Sequence, residues 1–338
     1  MVGSSRWLGL ALFSGTFAWV VVAARRPGSD AGPTLLLLVG SALAFSLGIV
    51  AARADRRLAA MVVVGAGAAL IALRPASVLT RAPAGGLFGY PNARGALYTL
   101  ATLAALSLAA GTTGRVRLAM FIIAGAFAVV PIVVGARTAT VLLFTFPFMW
   151  IAAGRRGARV VCAVVAAMLA AAIAGTAVLG FFYRPGTSVT ADRIVHATLS
   201  ERRPMLWHDA ETLMRRAPLL GIGPGRFQVT SPIARSDRDA RWAHNEFLQF
   251  GAETGWPGFL ALLAIFAWIF AGIARDSAGL ATAIGAVVVG TAGMLASVDY
   301  VFHFAAIPLA AALLAGGAAA THPPNRSESR RNDGDRVP

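Results

Sequence analysis

The side chains best suited to chemistry are one histidine and a few arginines. His244 stands in Arg241-Trp242-Ala243-His244-Asn245-Glu246-Phe247-Leu248-Gln249, with Glu253, Gly255 and Gly258 following. An imidazole with a pKa of about 6.5 can accept a proton from an attacking hydroxyl at neutral pH. Arg137 lies in Val134-Gly135-Ala136-Arg137-Thr138, and Arg203 in Arg202-Arg203-Pro204-Met205-Leu206-Trp207. Guanidinium groups hold phosphate through paired, charge-assisted hydrogen bonds and offset charge developing on a leaving pyrophosphate. These residue types are what transfer from a diphosphate-linked donor to a hydroxyl needs. No metal or other cofactor is demanded: HExxH, paired external aspartates and clustered histidines are missing, and His244-Asn245-Glu246 has the wrong spacing for a zinc motif.

Each residue also has a plainer reading. On a helix beginning at His244, the residues Asn245, Glu246, Gln249 and Glu253 fall within about a 100° arc, while His244 shares another face with Gly251 and Gly255. A carboxylate more than two turns into a span, as Glu253 is, must face protein or water. The segment is therefore either a working polar stripe, with Asn245, Glu253 and Arg241 in support, or a capped helix start whose carboxylate bonds to a neighbouring span. Arg137 is either a phosphate ligand or an arginine snorkelling to headgroups. The run from Pro218 to Phe227 fits neither GxGxxG nor the P-loop spacing and follows no strand, so it reads as a glycine-permitted turn on which Phe227 packs. Asp299 and His303, at i and i+4, could bond to each other or line a cavity, and carry no catalytic role.

The elements that must position these residues are membrane spans. Of 338 residues, 57% are hydrophobic and 13% charged, with a mean hydropathy of +0.69, whereas about a quarter of a soluble domain is charged. Ten apolar blocks have the length needed to cross about 30 Å of hydrocarbon. They cover residues 7–24, 33–52, 58–73, 92–111, 118–134, 139–153, 160–182, 245–272, 278–298 and 302–320. The first ends in Val22-Ala23-Ala24, a cleavable sequence, but is long for a signal peptide and reads as a span. The lone Cys162 lies inside a block, so no disulfide framework exists.

All 30 basic residues are arginine, and the formal net charge is +15. The arginines cluster between apolar blocks, without a lysine-rich arm or interleaved aromatics, which argues against nucleic acid as a partner. Fourteen fall in one set of connections and the tail, six in the opposite short connections. Basic residues near span ends stay in the cytoplasm, so both termini are expected there. The other ten lie in residues 183–243, with six acids. This connection is longer than loops usually run and falls on the outer face. Within it Leu206, Ala210, Leu213, Met214 and Ala217 repeat as an amphipathic helix does, with Pro204 in its first turn and Pro218 at its end. Its apolar face is expected against the membrane surface or over a cavity between spans. The expected architecture is an all-α, polytopic transmembrane bundle of about ten spans. It comprises an N-terminal bundle of about seven spans (1–182), the external loop (183–243), a C-terminal bundle of three (244–320) and a disordered cytoplasmic tail (321–338).

At this point the chain resembles the O-antigen ligase and polymerase superfamily, polytopic enzymes that act on undecaprenyl-diphosphate-linked glycans at the outer face of the inner membrane. The carriers are the Pro218 to Phe227 run, His244-Asn245-Glu246-Phe247-Leu248-Gln249 and Glu253-Thr254-Gly255, supported by Arg203 before Trp207, by Gly135-Ala136-Arg137-Thr138 and by Tyr90-Pro91-Asn92. The resemblance implies a GT-C-like helical glycosyltransferase. In it His244 is the base or acceptor-positioning residue, and Arg137 and Arg203 bind the lipid diphosphate. Two departures stand out: seven spans precede the loop where nine are usual, and Ala136 replaces a serine.

The expected function is transfer of a glycan from an undecaprenyl-diphosphate donor to a glycan or lipid hydroxyl, as ligase or polymerase, in the bacterial cytoplasmic (inner) membrane among its lipids. The alternatives are a non-enzymatic transporter or flippase, whose main residue would be Glu253, and a structural subunit of an envelope polysaccharide system.

Overall fold

The computed structural model describes residues 2–79, 89–143, 155–182, 202–236, 240–275 and 280–320. Over these the chain is helical, with no strand. The helices are α1 (Val2–Ala23), α2 (Gly32–Ala54), α3 (Leu58–Leu73), α4 (Pro75–Leu79), α5 (Pro91–Ala110), α6 (Gly114–Val134), α7 (Arg155–Phe182), α8 (Arg202–Arg216), α9 (Phe227–Thr230), α10 (Pro232–Ser236), α11 (Glu246–Arg275), α12 (Leu280–Val298) and α13 (Ala306–Ala318), with a 3₁₀ turn at Val301–His303 before α13. Five of them, α2, α5, α6, α7 and α11, are long and apolar enough to cross a membrane, and α1, α3, α12 and α13 add shorter apolar stretches. Each coincides with one of the apolar blocks. The sixth block begins in helix at 137–143; residues 144–154, like 183–201 of the long loop and the tail 321–338, lie outside the described residues. The chain is a multi-pass membrane protein.

Local chemistry explains where these helices start and stop. Pro91 opens α5 in the first turn, where its missing N–H costs nothing, and α6 ends on Gly135 in the left-handed region. Residues facing lipid stay apolar: Leu36, Leu43, Leu47, Leu73 and Phe182 are all more than half exposed. In lipid, apolar exposure drives no packing, so helices associate where small residues let backbones approach. A Cβ on Gly48 would stand 2.1 Å from the Leu313 carbonyl oxygen, and one on Gly316 2.0 Å from that of Phe45. Thus α2 and α13 cross at backbone contact. α5 is buried along most of its length and forms the centre of the bundle.

The amphipathic helix expected in the long connection is α8. Its apolar face covers spans rather than the membrane surface: Leu206, Trp207 and Ala210 are fully buried, against α7 and α11. A Cβ on Gly180 of α7 would stand 2.9 Å from the Trp207 Cβ, and one on Gly251 of α11 2.6 Å from the Met214 sulfur. α8 thereby carries Arg203, in its first turn, to the end of the bundle where α11 begins.

Candidate active site

His244 does not begin the helix. Asn245 does, as its N-cap: the Asn245 Oδ1 accepts the Leu248 N–H at 3.0 Å, and its Nδ2 donates to Thr176 Oγ1 at 2.8 Å. The polar arc expected from a helix starting at His244 is corrected accordingly, because capping takes precedence over periodicity at a terminus. His244 is left with φ of 51° and is the non-glycine residue with positive φ among those described. Such a conformation costs ~1–3 kcal/mol and persists only where its surroundings determine it. Here they do: the Ala243 N–H donates to Gln249 Oε1 at 2.9 Å, and the Trp207 indole N–H donates to the His244 carbonyl at 3.2 Å.

The left-handed turn aims the imidazole at Asp299, which follows α12. His244 Nδ1 lies 2.9 Å from Asp299 Oδ1. The same carboxylate accepts from Arg203 Nη2 at 3.0 Å, Asn92 Nδ2 at 2.6 Å, the Tyr90 hydroxyl at 2.9 Å and the Tyr300 N–H at 2.8 Å. Asp299 is 4% exposed. One buried carboxylate therefore joins α5, α8, the start of α11 and the end of α12. A His bonded to a carboxylate through Nδ1 carries its proton there, which leaves the Nε2 lone pair for a substrate. Arg203 Nε is buried and has no hydrogen-bond partner among the described residues, while the side chain as a whole stays 13% exposed.

Burial acts to raise the Asp299 pKa, but the hydrogen bond from His244, the charges of Arg203 and His244 and the Tyr300 N–H outweigh it and hold the value below the ordinary 3.8. Burial also raises the Tyr90 phenol, and Asp299 adds to this, so Tyr90 stays a neutral donor. A depressed carboxylate contributes stability that is present above its ordinary pKa and lost as pH falls through the folded value. Asp299 should therefore hold this end of the bundle together down to below pH 3.8. The thermal unfolding midpoint of the wild type is expected to fall more steeply with acid than that of Asp299→Asn, and parallel acid curves would contradict this.

Asp299 and His303 do not bond to each other. His303 Nδ1 lies 3.1 Å from Glu246 Oε1, which also accepts the Phe302 N–H at 2.8 Å. Burial acts to lower the His303 pKa, but the Glu246 charge and hydrogen bond, with the Glu253 charge, leave it above 6.5. A raised histidine contributes stability that is complete below its unfolded value and lost as pH rises through the folded one. The destabilisation caused by His303→Gln should consequently shrink as pH rises above 6.5, in thermal unfolding read at several pH values.

Glu253 faces protein, one of the two surroundings its position in the span allows, and its partners explain the glycine run. Its Oε2 accepts the Gly225 N–H at 3.0 Å and its Oε1 the Phe227 N–H at 3.2 Å. Beside it α11 breaks at Gly255, with φ of 76°, and freed backbone groups inside a span must find partners. The Pro218 to Phe227 run supplies them: Ile222 N–H to Ala252 O at 2.9 Å, Gly223 N–H to Glu253 O at 3.0 Å, and Trp256 N–H to Pro218 O at 2.8 Å. The run is a clasp on the kink, and Phe227 is fully buried on it. Gly221, with φ of 63°, has no room for a side chain, since a Cβ would stand 2.3 Å from the Glu253 carbonyl carbon. Gly221→Ala should therefore lose folded protein in detergent size-exclusion and thermal assays, whatever its effect on chemistry.

The other candidates are further out. Arg137 is exposed and makes no hydrogen bond or ion pair among the described residues. It lies at the Asp299 end, because Ala136 packs over Gly95, one turn into α5 from Asn92. Arg241 is exposed three residues before His244. The structure thus brings His244 and Arg203 together on Asp299, gives Asn245 to the helix cap and Glu253 to the clasp, and leaves Arg137 and Arg241 exposed. It adds Asp299, Tyr90 and Asn92. The opening of α5 by Tyr90-Pro91-Asn92 is the sequence signal for two of these, whereas the spacing from His303 marks Asp299 only as a bonding partner or cavity residue without a catalytic role.

In comparison with known proteins, residues 127–263 match the family model described as O-antigen ligase (Wzy_C). The matched segment contains Arg137, Arg203, His244, Asn245 and Glu253 and stops before Asp299. The likeness is one of this segment, which is less than half of the chain. No curated protein matches the chain.

Proposed function

With a segment similar to the O-antigen ligase family as premise, we propose that the chain transfers a glycan from an undecaprenyl-diphosphate donor to a hydroxyl of a glycan or lipid acceptor. The site lies at the outer face of the bacterial inner membrane, with both termini cytoplasmic. The observation that carries this reading is Asp299, whose two oxygens hold His244 and Arg203 at 2.9 and 3.0 Å.

His244 Nε2 takes the proton of the acceptor hydroxyl as its oxygen attacks the anomeric carbon of the donor sugar. The bond from that carbon to the diphosphate oxygen breaks, and its electron pair leaves with the lipid diphosphate. The Arg203 guanidinium, whose side chain is 13% exposed, neutralises the charge that develops there. Asp299 holds the imidazole in the working tautomer and stabilises the imidazolium as it forms. Arg137 and Arg241, exposed at the same end, draw the anionic donor toward Arg203. The transporter reading loses its main residue, since Glu253 is engaged by the clasp.

Membrane vesicles carrying the chain provide the test. With Arg203→Lys, incorporation of lipid-linked sugar should fall, because a point charge cannot reproduce the planar fork. Loss of one charge-assisted bond costs ~1.5–3 kcal/mol, roughly 10- to 100-fold in kcat/KM. The donor KM should rise, and unchanged incorporation would remove Arg203 from the diphosphate site.

A further inference from the structure

From the start of α11 an apolar groove of about 160 Å³ runs between α1, α2, α11, α12 and α13. Its walls include Phe13, Leu38, Leu262, Ala292 and Ala312, and its polar lining residues are Thr34, Ser41 and Glu246. The lining takes Glu246 and Phe250 before the Gly255 break in α11 and Leu262 to Ile269 after it. A groove lined almost wholly by apolar side chains matches an aliphatic chain.

The head of whatever lies there is set by Glu246. Its Oε1 is taken by Phe302 and His303, and its Oε2 accepts no hydrogen bond among the described residues. That oxygen accepts from a hydroxyl and has no donor to offer a phosphate. His303 stands between Glu246 and Trp242, whose ring lies 4.0 Å from the imidazole, centroid to centroid. Tyr300 then separates the two imidazole–carboxylate pairs, with His244 at 4.7 Å and His303 at 6.0 Å from its ring. One pair shares its carboxylate with Arg203, and the other does not.

We propose that this groove binds the aliphatic chain of a lipid acceptor, whose neutral, hydroxyl-bearing head rests against Glu246 and His303 beside the base. The word acceptor rests on the glycosyl-transfer reading, but the binding preference does not. The donor, an anion, occupies the Arg203 side of Tyr300, and its diphosphate is kept from the groove mouth by Glu246.

The full chain in lipid nanodiscs tests this with two probes of the same diazirine-bearing alkyl chain, one ending in glucose and the other in phosphate. The glucoside should label groove residues about tenfold more than the phosphate. Ala312→Phe should abolish that labelling by filling the groove. Ser41→Phe, from α2, carries the same test if the first variant fails to fold. Glu246→Gln should raise phosphate labelling toward that of the glucoside. Equal labelling of the wild type by both probes would mark a crevice for ordinary bilayer lipid, and preference for the phosphate would mark the donor's chain; either overturns the proposal. Labelling needs no turnover. Selective labelling without glycosidic bond formation would refute the transferase reading alone, whereas transfer with equal labelling would refute the groove assignment alone.

Discussion

Asp299→Asn is expected to lower kcat by roughly 10³- to 10⁴-fold with the protein still folded in the membrane, in line with loss of the carboxylate that orients a catalytic histidine. Asparagine has the same shape but one oxygen. Oδ2 of Asp299 receives Asn92 and Arg203, so the amide oxygen stays on that side. The amide nitrogen then falls where Oδ1 now accepts from His244 and Tyr300. A donor facing His244 Nδ1 drives the ring proton to Nε2, and the lone pair needed for the acceptor hydroxyl is lost. Arg203 loses its counter-charge at the same time. Transfer rates measured at equal protein level decide the matter, and near-wild-type turnover would show that Asp299 only holds helices together.

Removing the imidazole should cost about 10²- to 10⁴-fold, the usual contribution of a positioned general base. His244→Gly is the cleaner variant, since glycine adopts a φ of 51° without strain, whereas alanine keeps the unfavourable backbone. The Arg203 to Asp299 bond remains, so the donor KM should stay while kcat falls. Added imidazole should restore part of the rate. A variant that keeps its rate, or whose donor KM rises with kcat unchanged, would place His244 in binding instead of proton transfer.

The spans and the chemistry-bearing types were legible because each is a local property. Apolar blocks, the amphipathic spacing from Leu206 to Ala217, and an imidazole among arginines need only neighbouring residues to be read. Asp299 is legible only as a partner of His303 or a cavity residue; its bond to His244 is not, since the two lie 55 residues apart and its role depends on how the end of α12 meets Tyr90, Asn92 and Arg203. The backbone of His244 was misread for a different reason: periodicity extends a helix one residue too far when the next side chain is the cap. Glu253 was expected to face protein or water, and it faces protein, with partners 26 and 28 residues back in a turn. The purpose of that turn is visible only once Gly255 is seen to break α11.

The most direct measurement is made with the purified chain in liposomes, supplied with an undecaprenyl-diphosphate-linked sugar and a hydroxyl acceptor. Free undecaprenyl diphosphate and new glycosidic bonds should appear in equal amounts in the wild type, and both should be lost in His244→Gly. Passage of the intact lipid-linked sugar across the bilayer, with no glycosidic bond formed, would contradict glycan transfer outright.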